Sequence, residues 1–193
     1  MKLYDLIVQR FFPAGYQETL LRLKDTEIPA ANGQYGRGYF YEAYSDDLVQ
    51  KHCDGTETLS ATAINSQGQC CWMALDIDCR DTDTARAAAN LQAALYFYKN
   101  CPYETILESS NDYGGYHLWI FPPAPMSGAD AVAWIHQFVG NTKFEIRPAI
   151  NAPAGTTPYY FNNSLRLPGL NPKRGTWSKI WNGTQWIDVR QMT

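Results

Sequence analysis

The order of hydrophobic periods between residues 71 and 148 constrains this chain more than any other feature. Residues 72–78 begin as an apolar run and pass into alternation, the mark of a strand. A helix is predicted over 84–99, with Thr82 or Asp83 as cap, an apolar stripe of Ala88, Leu91, Leu95 and Tyr98, and Pro102 just beyond. Strands are predicted over 104–109 and 116–121, around the turn-rich Asn111-Asp112-Tyr113-Gly114-Gly115. After a break at 122–125, Ser127 caps a second helix that carries Val132, Ile135 and Phe138 on one side and closes at Gly140. Residues 144–148 make a last short strand. The resulting β-α-β-β-α-β order is the ferredoxin-like, or RRM-like, arrangement, and it places the chain in the α+β class.

The flanking segments add to this unit without repeating it. Residues 1–70 read as an additional N-terminal α/β lobe, with a helix over 46–52 capped by Ser45 and strands over 58–64 and 70–78 joined by Asn65-Ser66-Gln67-Gly68. A Pro/Gly/Thr-rich loop covers 149–157, and a C-terminal hairpin is predicted from strands over 177–181 and 184–189 about Asn182-Gly183. The expected organisation is one domain over 1–193: the lobe 1–70, the β-α-β-β-α-β module 71–174 and the hairpin 175–193. Hydrophobic residues are 45% of the total, enough to fill the core such a domain needs.

Topology then brings particular side chains together. In the usual sheet of this arrangement the first strand is central, flanked by the third and fourth, both antiparallel to it. The end of the first, carrying Asp76 and Asp78, lies beside the start of the third, with His117, and the start of the fourth, with Glu145. Side chains alternate along a strand, so Asp76, Asp78, His117, Trp119, Glu145 and Arg147 share one face, while Leu75, Ile77, Leu118 and Ile146 take the other. The apolar face receives the two helices; the polar face is expected to have no helix over it. Three gathered carboxylates repel one another unless a cation intervenes, and hard oxygen donors favour Mg²⁺ or Mn²⁺, two ions in this reading, over zinc.

Bulk properties exclude several other classes. A formal net charge of -3 argues against a protein whose affinity rests on neutralising a phosphate backbone, and predicts weak DNA affinity for this domain alone. Neither a signal peptide nor a membrane-spanning run is apparent, so the expected location is cytoplasmic, with no membrane partner. Cys53, Cys70, Cys71, Cys79 and Cys101 are odd in number and form no CxxC pair, which favours free thiols over a disulfide framework or a zinc ribbon. A mixed site of His52 and Cys53 is the alternative.

The motifs, taken in order, resemble a known family. Leu75-Asp76-Ile77-Asp78, then Ser110 with Gly114-Gly115-Tyr116-His117-Leu118-Trp119, then Phe144-Glu145, resemble the three motifs of the archaeo-eukaryotic primase superfamily, in its primase–polymerase catalytic domain. Leu165-Arg166-Leu167-Pro168-Gly169-Leu170-Asn171-Pro172-Lys173 is similar to the Arg-Leu-Pro-Gly and Asn-x-Lys segments of phage and plasmid primase–polymerases. His52 to Gly55 followed by Thr58-Leu59 resembles the segment before the first motif, so the resemblance runs from about residue 48 to 174.

That resemblance implies a template-directed nucleotidyltransferase, a DNA primase or polymerase working on NTPs or dNTPs with single-stranded DNA template or primer–template. A helicase or other replication module is an implied partner, and a phage or plasmid origin would place the work in the host cytoplasm. Asp76, Asp78 and Glu145 would be the catalytic metal ligands; His117, Ser110, Gly114, Gly115, Arg166 and Lys173 would hold the nucleotide. Where many relatives carry a serine six residues before the histidine, this chain has Asn111, with Ser110 one step earlier. Either the loop is one residue longer or Asn111 replaces the hydroxyl. Tyr113, Tyr116 and Trp119 are candidates to stack on bases, and Arg37 and Arg147 to meet nucleic-acid phosphates. Two other readings stay open: a non-catalytic RRM-like module for nucleotide or single strands, and a metal-dependent phosphodiesterase or nuclease.

Overall fold

The computed structural model describes residues 1–13, 42–79, 83–150 and 164–193 in full, and residues 19–29 and 35–41 as backbone. Arg37 therefore has a described backbone, but its side chain lies outside the described residues. The fold is α+β.

Among the described residues the largest sheet has six strands, all antiparallel to their neighbours. Number the strands β1 (Thr19–Pro29), β2 (Tyr35–Ala43), β3 (Thr58–Thr62), β4 (Gln69–Cys70), β5 (Met73–Ile77), β6 (Glu104–Ser109), β7 (Tyr116–Phe121), β8 (Met126–Ser127) and β9 (Glu145–Arg147). After them come β10 (Ser164–Arg166), β11 (Leu170–Asn171), β12 (Thr176–Trp177), β13 (Lys179–Trp181) and β14 (Trp186–Asp188). The six-stranded sheet then runs β14-β13-β6-β7-β5-β9.

Register fixes what each rung of this sheet carries. One rung reads Glu145, Asp76, His117 and Glu108 across β9, β5, β7 and β6. The next rung on that face reads Arg147, Ala74, Trp119 and Ile106, and the rung between them, pointing the other way, reads Ile146, Leu75, Leu118 and Leu107. A slip of one residue would send the whole ionisable rung into the apolar core, so the pattern itself locks the register.

Helices α3 (Thr84–Asn100) and α4 (Gly128–Val139) start where their caps dictate. Asp83 accepts from the N–H groups of Ala85 and Arg86, Ser127 from that of Asp130, and Gly140 closes α4 with φ of 59°. Phe97 of α3 meets Phe138 of α4 and Phe144 edge-on. Helix α2 (Asp46–Cys53) begins at Ser45, whose hydroxyl accepts from Leu48.

The opposite face corrects an expectation. It is not left open: helix α1 (Leu3–Phe11) and a second sheet, ordered β10-β3-β1-β2, cover it. Fully buried Phe11 lies edge-on to Trp119 at 4.7 Å and to Phe121 at 5.4 Å, and Trp72 meets Trp119 at 5.1 Å. The cause is the second rung, where Ala74, Trp119 and Ile106 make half of the supposedly polar face apolar. Helix α1 was missed by the sequence reading, although Leu3, Leu6, Ile7 and Phe11 recur at helical spacing and are its buried residues.

The C-terminal hairpin spans β13 and β14 and is not an appendage, since β13 continues the sheet beside β6. Its first strand starts at Lys179; Trp177 pairs instead with Leu170 in a two-stranded ribbon of β11 and β12. The Asn182 side chain accepts from the N–H groups of Thr184 and Gln185, and Gly183 takes φ of 98°. All five cysteines are free, and none of the described helices is long and apolar enough to cross a membrane.

Because Phe11 plugs the sheet's second face through three aromatic contacts, Phe11→Ala should destabilise the chain by about 3–5 kcal/mol. Urea unfolding followed by tryptophan fluorescence measures it; a loss under about 1 kcal/mol would show that α1 does not hold this face.

Candidate functional site

A pocket of about 340 Å³ opens between the two sheets. Asp76, Asp78 and His117 line it from the six-stranded sheet, Thr58 and Ser60 from β3, and Ser164 and Arg166 from β10. Ser110, Asn111, Asn171 and Lys173 close it from loops and from β11. A second pocket of about 390 Å³ lies between α1 and the turn Pro122-Pro123-Ala124-Pro125. Its one charged lining residue, Arg10, is paired with Glu104 at 2.7 Å, so the chemistry belongs to the first pocket.

Asp76 is the most perturbed acid of that pocket. Burial raises its pKa, Asp78 and Glu145 add to the rise, and His117 and Arg147 oppose it. The imidazole Nε2 of His117 stands 3.6 Å from Asp76 Oδ1. Asp78 is exposed at the strand's end, and its carbonyl accepts from the Asn90 amide of α3, which also reaches the carbonyl of Gly114. Glu145 is the register partner of Asp76, yet its carboxylate turns to Arg147 at 2.8 Å and is absent from the pocket lining. The structure thus brings two of the three predicted acids into the pocket and holds the third beside it. Among the described residues no three His, Cys, Asp or Glu side chains are grouped closely enough to hold a metal ion. The donor chemistry of Asp76 and Asp78 nevertheless fits a hard divalent cation, because a buried carboxylate with acidic neighbours is relieved by positive charge.

Beneath His117 lies a residue the sequence reading passed over. Glu108 is fully buried, and its carboxylate accepts from His117 Nδ1 at 2.9 Å, Trp119 Nε1 at 2.8 Å and the Ser178 hydroxyl at 2.5 Å. The Arg166 guanidinium stands 3.7 Å away. Burial alone would raise the Glu108 pKa; His117, Arg166 and Ser178 outweigh it and hold the acid at about 2. Burial likewise works against a charged His117, but Glu108 and Asp76 prevail and its pKa rises. The signal was present in the sequence: an acid in an apolar strand, two residues from Ile106 and so on the same face.

Loop residues 110–115 support the pocket differently from the reading given to them. Asn111 Oδ1 accepts from the N–H groups of Tyr113 and Gly115, at 2.8 and 3.0 Å. Gly115 therefore offers its N–H to Asn111 and not to a phosphate, and neither glycine lines the pocket. Their need for glycine is steric. A Cβ on Gly114, where φ is +86°, would fall 2.4 Å from the Ala87 Cβ, and one on Gly115 would fall 2.3 Å from Asn111 Nδ2. Ser110 and Asn111 both line the pocket, and the Ser110 carbonyl accepts from Arg166 at 3.0 Å and from Asn171 at 3.3 Å. Asn171 was quoted in the sequence reading without a role.

Further residues are reassigned. Trp119 is a core residue with no exposure, so it does not stack on bases. Tyr116 is buried and stacked on Trp186 at 5.6 Å, while Tyr113 carries the Arg174 guanidinium over its ring at 4.8 Å. Arg147 donates to Glu145, to the Ser164 carbonyl at 3.1 Å and to its own strand, which ties β9 to β10. His52 is fully buried: Nδ1 accepts from the Leu59 N–H and Nε2 donates to the Pro168 carbonyl. Burial lowers its pKa to about 4, and both nitrogens are used, so the alternative metal site with Cys53 is removed. Its role is to pin α2 to the Leu167-Pro168-Gly169 turn that follows Arg166; a Cβ on Gly169 would fall 2.7 Å from its Nε2.

Comparison with known proteins fits this arrangement. A family model described as the archaeo-eukaryotic primase domain of the TOTE conflict system matches residues 10–151, well over half of the chain. No curated protein matches it. Among solved structures, the polymerase domain from Mycobacterium tuberculosis ligase D in complex with DNA is similar at 9% identity and a TM-score of 0.49. That similarity covers 97% of this chain and 83% of the other, at a level too remote to bear on function. The family match includes β5, β7 and β9, the strands that carry Asp76, Asp78, His117 and Glu145. The chain belongs to the archaeo-eukaryotic primase domain family of TOTE conflict systems.

Proposed function

We propose that this domain is a template-directed nucleotidyltransferase, a DNA primase or DNA polymerase that adds NTPs or dNTPs to a strand paired with single-stranded template. The observation that carries this reading is one pocket lined by Asp76 and Asp78 together with His117, Arg166 and Lys173. Carboxylates and cations lining one pocket match a substrate that brings both metal and phosphates. The strand order β6-β7-β5-β9 supports an RRM-like reading of the module.

His117, Arg166 and Lys173 would hold the triphosphate, with the Ser110–Asn111 turn shaping that end. Asp76 and Asp78 would hold Mg²⁺ or Mn²⁺, and Glu145 would join them once its carboxylate leaves Arg147. A bound divalent cation supplies Lewis-acid stabilisation of the charge that builds on the attacking and leaving oxygens. In the transfer the strand's 3′-oxygen forms a bond to the α-phosphorus while the bond to pyrophosphate breaks. Positive side chains held in a partly closed pocket stabilise the departing pyrophosphate without reorganising.

Two outcomes test this. Replacing Asp76 and Asp78 together by Ala should cut extension of a labelled primer–template with Mn²⁺ by about 10³-fold or more, with the circular dichroism spectrum unchanged. Full extension by that double variant would sink the mechanism. Templated cleavage without any need for nucleotide would instead identify a nuclease.

The second outcome concerns stability. Because the folded-state pKa of Asp76 is raised, the fold favours the protonated acid. Stability is lost as pH climbs from the ordinary carboxylate range through that raised value. Asp76→Asn should therefore melt roughly 2–4 °C above the natural chain at pH 7 without divalent ions. Added Mn²⁺ should raise the melting temperature of the natural chain and leave that of Asp76→Asn in place. Equal responses would remove Asp76 from the metal site.

A further inference from the structure

Glu108 sits below the pocket, and its environment asks for an explanation beyond packing. A fully buried carboxylate is expensive to desolvate, and its Trp119 and Ser178 donors would be satisfied by a neutral acceptor. What a neutral acceptor cannot supply is charge for the two cationic side chains nearby. His117 comes from β7 of the six-stranded sheet, with Nδ1 at 2.9 Å, and Arg166 comes from β10 of the four-stranded sheet, at 3.7 Å. These residues line opposite walls of one pocket, and Glu108 stands where both walls reach the floor.

We propose that Glu108 is a positioning residue for the nucleotide: from beneath the floor it holds the His117 imidazole and the Arg166 guanidinium where they meet the phosphates. This rests on the nucleotidyltransferase reading above. By taking Nδ1–H, Glu108 fixes the imidazole plane and leaves Nε2 as the edge that faces the pocket. Arg166 gives one donor to the Leu167 carbonyl and another to the Ser110 carbonyl, so Glu108 acts on it as a charge alongside those bonds. Ser178 accepts from the Gly169 N–H while donating to Glu108, which keeps the carboxylate in register with the turn after Arg166. Glu108 touches no substrate; it acts through two residues that do.

The test compares primer extension by the natural chain, Glu108→Gln, His117→Ala and the double variant, with nucleotide and primer–template varied separately. Glu108→Gln should raise the nucleotide KM about tenfold and leave the primer–template KM within twofold. In the His117→Ala background the same change should cost about threefold or less, the part carried by Arg166. Trp119→Phe removes a donor from the same carboxylate while keeping an aromatic ring edge-on to His117, where the two rings stand 5.7 Å apart, so it should lower the melting temperature but leave the nucleotide KM alone. If Glu108→Gln does not fold, Glu108→Asp keeps the charge, draws it back by one methylene and is read in the same way.

An unchanged nucleotide KM in Glu108→Gln, or a full effect retained without His117, would overturn the positioning role while leaving the polymerase reading intact. The ¹⁵N resonances of His117, recorded without nucleotide, separate the two ideas. They should report a protonated, hydrogen-bonded Nδ1 that shifts in Glu108→Gln. No shift would refute the contact itself. A shift in a protein that neither binds nor incorporates nucleotide would keep the contact and overturn both the polymerase reading and the role built on it.

Discussion

Everything at the candidate site depends on the antiparallel register of β5 between β7 and β9. Three neighbours on one rung, Glu145, Asp76 and His117, follow from that pairing, and Glu108 follows from the next strand over. The same pairing fills the reverse side with Leu75, Leu118, Leu107 and Ile146, whose burial makes any other register costly. Side chains with no intrinsic reason to gather are therefore held together by the hydrophobic effect acting on their neighbours in the chain. The charged rung is stabilised from behind.

Its charges are treated unequally. Glu108 collects three donors and a nearby guanidinium, and so remains ionised without water. Asp76 has one imidazole at 3.6 Å, and burial, with Asp78 and Glu145 adding to it, pushes its pKa up. One carboxylate is compensated by donors and a cation on every side; the other has a single cationic neighbour within 4 Å among the described residues. This contrast sets the two acids apart more sharply than burial does, because both are largely buried.

How much of this was legible in the sequence follows the same lines. Period-2 alternation and the strand order placed Asp76, His117 and Glu145 on one rung, since both are local properties. Glu108 was equally legible, but strand 104–109 was read for its existence and not for its facing. Trp119 failed for a subtler reason: parity gives the face of a residue, but not which end of that face is wet. The second sheet was beyond reach, because β10 pairs with β3 across roughly a hundred intervening residues and no local pattern announces it. Arg147 and Arg166 look alike in sequence, and only that long-range pairing decides that one ties strands together while the other lines the pocket. Gly114-Gly115 was a sound turn signal with the wrong cause attached, since the close approach is to Ala87 and Asn111.

The Ser178 hydroxyl reaches Glu108 across 70 residues of chain. Synthesis delivers β5, β6 and β7 before the buried carboxylate has all its partners, because β10, the turn at Gly169 and Ser178 follow them along the chain. A chain stopped short of residue 178 would hold an ionised acid with part of its shell missing. Such a topology, rich in non-local pairings, closes late and cooperatively. The stretch from β10 to Ser178 therefore completes the shell of Glu108 as well as one wall of the pocket, so the buried charge and the cleft above it are finished by the same late-arriving segment.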